Sequence, residues 1–361
     1  MSMSLLRALV LLAPASATLA ATAATPQGDD NDHGWHEVAT LPMTWVSSMS
    51  FASGKIGFAA SGAGQVLKTT DRGRTWTPAL DLTYPYYWFA VQALNENDIV
   101  AAGSIDDTSG HVEGIVRWSH DGGTTWSDDL VLSNQGYPFL QSIHFWDASV
   151  GFGVGLGSPN VEFRTTTGGL TLTDWTVGAL DPNGSWFGAQ VSALPNGHVR
   201  LSGITYCTSL DFAATFDCRP SIDAVFDGVT FFIDDDNGWV AGGGGIGVPV
   251  GSPPQFEGWL HRTTDGGTTW SDRVLDGPWP IRSIVFINRH DGWAVGGGGS
   301  FGGMYVTHDG GKHWNVEFDA GFGPQTCATS EYQIYCAGYD DNATTHIYAR
   351  DYDDIMAGKF D

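Results

Sequence analysis

The chain has 361 residues, among them 49 Gly, 15 Trp, 19 Phe and 11 Tyr, an apolar content that supplies a core and excludes an intrinsically disordered protein. Sixteen Lys and Arg stand against 40 Asp and Glu, a formal net charge of −24. Charge of that sign and size excludes non-specific attachment to nucleic acid or to an anionic membrane.

Residues 1–24 read as a secretory signal peptide: a positive charge at Arg7, an apolar run over residues 9–13, then small residues with an Ala-x-Ala site at Ala21 and Ala23. Pro14 and the Ser and Thr after it stop the run short of the roughly 20 residues that a membrane span needs, so no stable membrane insertion is expected. Cleavage near residues 20–24 places the mature protein in the periplasm or outside the cell. Residues 25–34 are expected to be a flexible acidic segment. There Asp29, Asp30 and Asp32 beside His33 and His36 either chelate a metal or belong to a mobile tail.

From residue 35 to residue 354 two motifs alternate. Turns of the form Ser/Thr-x-Asp-x-Gly-x-x-Trp carry Asp71 with Trp76, Asp121 with Trp126, Asp265 with Trp270 and Asp309 with Trp314; a degenerate copy, TTTGGLTLTDW, ends at Trp175. In each, hydroxyl and carboxylate oxygens accept backbone N–H bonds, Gly supplies a positive φ, and Trp starts the returning strand. The Trp separations, 50, 49, 95 and 44, hide one unit that has lost its motif. The gap holds Cys207 and Cys218, and a disulfide is expected to replace the missing turn. Upstream of the turns, GFAASG from Gly57, GFGVGL from Gly151, GWVAGG from Gly238 and GWAVGG from Gly292 each read as a short strand running into glycine.

Units of about 45 residues with four short strands, A to D, predict an all-β fold: a seven-bladed β-propeller of four-stranded antiparallel blades. Strand A is expected to begin near Val46, Phe89, Gln141, Ala189, Val229, Arg282 and Gln325. The seventh unit lacks a strand D, and residues 35–41 are expected to supply it and close the ring. Residues 355–361 are left as a tail. Cys207 and Cys218 lie eleven apart and Cys327 and Cys336 nine apart, each pair within one blade, which predicts two disulfides in an oxidising compartment. No Cys-x-x-Cys spacing supports zinc.

The turns resemble the Asp-box, or bacterial neuraminidase repeat. The pairing of GWAVG with TxDGGxxW in register resembles the photosystem II stability and assembly factor family of seven-bladed propellers, over nearly all of the mature chain. That resemblance implies a module that holds partner proteins; the repeat also occurs in sialidases and other glycoside hydrolases.

A sialidase needs three clustered arginines. Lys68, Arg164 and Arg262 recur at one repeat position just before the turn, which points to a structural cause, and Arg72 and Arg74 lie inside a turn. Arg282 alone sits where a strand A begins near the channel. Hydrolysis of a neutral glycan needs two carboxylates about 5–10 Å apart; Asp106, Asp107, Glu113, Glu162, Glu257, Asp181 and Asp276 are candidates, or solvated loop charge. Asp234, Asp235 and Asp236 before Asn237 and Gly238 fit a calcium loop or a plain A–B turn. No Ser-His-Asp set, metal site or cofactor is expected.

One pattern exceeds what the repeat requires. The D–A connections carry Trp45, Tyr84, Tyr86, Tyr87, Trp88, Tyr137, Phe139, Trp186, Phe187, Trp279 and Phe322, on the same face as the B–C loops. Either these rings plug the channel and pack the blades, or they bind. The binding reading assigns Tyr86, Trp88, Tyr137, Trp186, Trp279 and Arg282 to a protein or glycan ligand. The function expected is a monomeric, non-catalytic binding or assembly module, with a glycoside hydrolase as the alternative.

Overall fold

The computed structural model describes residues 22–23, 34–42, 45–82, 84–106, 112–132, 139–156, 160–171, 175–181, 191–202, 205–220, 222, 228–246, 255–298, 301–319 and 322–357. They form seven blades of four antiparallel strands, with a short helix, Tyr352–Ala357, at the end. In six blades the strands follow in chain order, as in blade 1: Val46–Phe51, Gly57–Ser61, Gln65–Thr69 and Thr77–Asp81. The other A strands are Tyr86–Ala93, Phe139–Phe145, Ser192–Ala193, Val229–Phe232, Ile281–Phe286 and Gly323–Thr329.

Strands A of neighbouring blades touch in six of the seven junctions and make the inner hoop. Side chains stitch it: the Ser50 hydroxyl accepts the Ala93 amide at 3.0 Å, Ser192 accepts Phe232 at 2.8 Å, and Ser283 accepts Cys327 at 3.3 Å. Gln92 bonds both the amide and the carbonyl of Phe145. Interior backbone groups need such partners wherever sheet pairing stops.

The two sequence motifs are coupled through packing. The last Phe of strand A covers the first Gly of strand B: Phe51 on Gly57, Phe145 on Gly151, Phe232 on Gly238 and Phe286 on Gly292, where a Cβ would fall 2.4–2.6 Å from the ring. The aromatic after that Gly then runs under the turn of the next blade. Phe58 lies against Gly123 and Trp239 against Gly311, and Tyr335, which follows Ile334 in place of a Gly, lies against Gly73, so the turn glycines serve both a positive φ and close approach to a ring. Blades are thereby locked in pairs by apolar contact, each buried aromatic contributing about 2–3 kcal/mol.

Blade 7 consists of Gly323–Thr329, Gln333–Tyr339 and Thr345–Asp351, with His36–Leu41 as its fourth strand. His36 lies opposite Ala349 and Leu41 opposite Thr345. Outside it, Thr22–Ala23 pairs with Thr40 and Ala39, although these two residues lie inside the segment expected to be cleaved off.

Blade 4 corrects one expectation. Its turn is not missing: in residues 209–216 the Ser209 hydroxyl bonds Asp211 at 2.8 Å and accepts the Ala213 amide at 3.1 Å, and Asp211 takes the Thr215 amide and hydroxyl at 2.9 and 2.6 Å. Ala213 stands where other blades have Gly, and Phe216 where they have Trp. The Cys207–Cys218 disulfide is therefore an addition to the turn, joining residues directly opposite on strands C and D, as Cys327–Cys336 does on strands A and B of blade 7.

Candidate functional site

Antiparallel blades put A–B and C–D turns on one face, and B–C loops with D–A connections on the other. The turn face is built by repetition. In blades 1, 2, 4, 5 and 6 a Ser or Thr hydroxyl bonds the Asp carboxylate and accepts the amide four residues on from itself. Each C–D turn also donates an amide to the A–B turn of its own blade, as Gly122 does to Asn97 and Gly310 to His290. The Thr hydroxyl and amide bonds hold Asp121, Asp211 and Asp265 down to about 2, so this face keeps its negative charge at neutral pH.

The recurring cations have the structural cause that their spacing implied. Lys68 Nζ donates to the Gly122 carbonyl at 2.6 Å, Arg164 Nε to Phe212 at 2.7 Å and Arg262 Nε to Gly310 at 2.8 Å; each reaches from one blade into the turn of the next. In the candidate calcium loop, Asp234 accepts the amides of Asp236 and Asn237 and pairs with Arg289 at 2.9 Å, while Asp235 meets His198 at 2.5 Å. These carboxylates are occupied within and between turns. Among the described residues no group of three or more His, Cys, Asp or Glu is placed to hold a metal. Asp29, Asp30, Asp32 and His33 lie outside the described residues, as does Asp107.

Of the candidate acids, Glu257 and Asp276 come together on one cation, Arg273, and Glu162 stands apart from them in another blade. Glu162, on strand C of blade 3, sits in the seam toward blade 4, near Arg164 and Asp211; burial pushes its carboxyl up to about 7. Glu257 faces Arg273 at 3.8 Å, and Arg273 reaches Asp276 at 3.3 Å.

On the loop face the aromatic residues divide. Trp88 is fully buried with its indole donating to the Gly64 carbonyl at 3.1 Å, and Phe322 is buried against Tyr348. Trp45 lies on Gly62. These rings pack blades, and Trp88 as placed offers no face to a ligand. Tyr86 is half-buried, its hydroxyl bonded to Asp129 at 2.7 Å and its ring under Arg117, which pairs with the same Asp. Trp279 is half-buried beside Tyr305. Tyr84 is open at 63 % exposure and sits edge-on to Tyr87, whose hydroxyl burial pushes up to about 12. Tyr137 and Trp186 lie outside the described residues.

Sequence reading missed a ring of bulges. Near the loop-face end of strand A, in five blades, the register with strand B slips by one residue. The residues that the register skips are Ser47, Phe89, Gln141, Arg282 and Gln325, all half-buried. A bulge re-aims a side chain, and these five stand at equivalent points around the channel mouth. Gln325 Nε2 donates to Gly323 and Gly297 carbonyls at 3.0 and 3.3 Å, and Ser47 to the Trp88 carbonyl at 2.9 Å. The Gln141 side-chain oxygen is buried without a hydrogen-bond partner among the described residues. Amides, a guanidinium and a phenyl ring so placed can bind peptide carbonyls, amides or a carboxylate. The sequence marks Phe89, Gln141 and Gln325 only as strand starts and Arg282 alone as a binding candidate; a register slip leaves no mark in hydrophobic periodicity.

No family model and no curated protein matches the chain. Solved propellers do. YCF48 from Cyanidioschyzon merolae is 18% identical with a TM-score of 0.62, over 89% of this chain and 99% of that one. YCF48 bound to D1 peptide is 15% identical with a TM-score of 0.61, over 88% and 96%. The WD40 β-propeller domain of Doa1 is 12% identical with a TM-score of 0.54, over 93% and 99%. At these identities the likeness is one of fold.

Proposed function

We propose that the protein is a non-catalytic module that binds an extended segment of a partner protein at the channel mouth on the loop face. The observation that carries this reading is the set of bulged positions: Ser47, Phe89, Gln141, Arg282 and Gln325 differ from blade to blade, whereas the opposite face repeats one bonding scheme. Arg282 and the two Gln side chains suit a polar backbone, and Tyr84, Trp279 and the D–A residues Tyr137 and Trp186 are proposed as its apolar rim. A solved propeller of similar fold is described as bound to a D1 peptide, which supports a protein segment over a glycan. The recurring turns are read as Asp-boxes, and the protein as a secreted or periplasmic monomer. Two disulfides fit an oxidising compartment, and no helix among the described residues is long and apolar enough to cross a membrane.

Parallel peptide and glycan arrays probed with the disulfide-bonded protein test the reading. A peptide is expected to bind and to lose at least tenfold in affinity with Arg282→Ala or Trp279→Ala. Capture of glycans alone, or full affinity in both variants, overturns it.

A further inference from the structure

The blade 4 turn departs from its counterparts in a way that its hydrogen bonds do not require. Phe212 and Ala213 both lie in the left-handed region, with φ of 58° each, where blades 2, 5 and 6 have glycine pairs. A side chain is strained there. Ala213 is covered, but Phe212 is 38% exposed. One side of its ring rests edge-on against Trp146, with centroids 5.2 Å apart, and on Gly197, where a Cβ would fall 2.6 Å away. Beside it Leu210 is 64% exposed, and the equivalent turn of blade 3 presents Leu170 at 56%. The positions equivalent to Leu210 elsewhere are Thr70, His120, Thr264 and His308.

The turns that carry this apolar spot and the neighbouring blade 5 turn also carry three carboxylates, each hydrogen-bonded within or between turns. Asp147 follows Trp146, Asp211 precedes Phe212, and Asp235 bonds Asn196 and His198 on either side of Gly197. Fewer cations are adjacent: Arg164 donates to the Phe212 carbonyl and keeps its charge, His198 meets Asp235, and Arg200 acts on Asp235 from a buried position.

We infer that the seam of blades 3 and 4 on the turn face is a second docking surface, independent of the channel mouth, for a basic protein segment that carries an apolar side chain between lysines or arginines. The apolar group covers Phe212 and Leu210 while its flanking cations meet Asp147, Asp211 and Asp235. A second copy of the chain is the wrong occupant, since it sets −24 against −24. In blade 1, Arg72 holds the same left-handed position with its guanidinium 5.5 Å from the Tyr332 ring centre; packing is thus the rival account of Phe212, and the test must separate the two.

The disulfide-bonded protein is panned against phage-displayed random dodecapeptides, and one enriched peptide is titrated by fluorescence polarisation. Enriched peptides are expected to be net positive with an apolar residue. Affinity should fall at least tenfold in Leu210→Ser, which leaves every turn hydrogen bond in place, and in Phe212→Asn, whose new side chain tolerates a left-handed φ. It should hold in Tyr84→Ala and in Arg282→Ala on the other face, and weaken steeply as salt rises. No enrichment, neutral or acidic winners, full affinity in Leu210→Ser, or a dimer that Leu210→Ser dissolves would each overturn the inference.

Discussion

Glu317 does the most at the scale of one residue. Its carboxylate, 6% exposed, accepts the Trp35 indole at 2.9 Å and the Trp293 indole at 2.6 Å, and pairs with Arg350. It thereby ties the N-terminal segment to blades 6 and 7. Glu317→Ala strands a buried guanidinium and two indole donors, and we expect a loss of about 3–5 kcal/mol in urea unfolding. His346 makes a second tie to the N-terminal strand, with Glu37 at 2.6 Å. That hydrogen bond, followed by the charges of Glu37 and Asp340, raises its pKa against burial. A raised histidine pKa contributes stability in full below the ordinary value near 6.5, and the contribution is lost as pH climbs through the folded value. Wild type should therefore lose more melting temperature between pH 6 and pH 8.5 than His346→Asn does. Glu162 behaves oppositely to a salt-bridged acid: its folded value near 7 lies above the ordinary 4.5, so its burial costs nothing at pH 4 and the full penalty by pH 8. Glu162→Gln is expected to raise the melting temperature by a few degrees at pH 8 and to leave it unchanged at pH 4.

Strands and turns were legible in proportion to how far their signal is local. Strand A starts lie within three residues of expectation in every blade, because the repeat spacing of the strand B motifs and the C–D turns brackets them. The blade 4 turn escapes a pattern built on Gly and Trp, because Ala213 and Phe216 stand in their places. The atoms that make the turn are instead Ser209, Asp211 and Thr215, and a search for Ser/Thr-x-Asp with Thr four residues on finds it. The bulges at the channel mouth were illegible, since they depend on how strand B is paired. Between elements, the Arg262 bond into the blade 6 turn is half-buried. Arg262→Met, which keeps the stem and removes the donor, should cost about 1–2 kcal/mol, and hydrogen exchange should rise at the amides of residues 309–313 rather than in blade 5.

The whole ring depends on a pairing that neither end of the chain can make alone. Deleting residues 25–41 removes strand D of blade 7, Trp35 and Glu37 together, and exposes the edge of Thr345–Asp351. The melting temperature is expected to fall by ten degrees or more, and an unchanged melting curve would show that the ring holds without this strand. Seven repeats made the architecture readable; the faces were harder, because aromatic residues that pack blades and aromatic residues open to solvent share the same connections. The joint between the ends also has a meaning in time. Glu37 and His346 stand 309 residues apart, and at roughly 5–20 residues per second a ribosome needs on the order of 15–60 s to travel from one to the other. The first of the blade strands to be made is thus the last to find its place, and for that interval its backbone is an open edge whose proper partner does not yet exist.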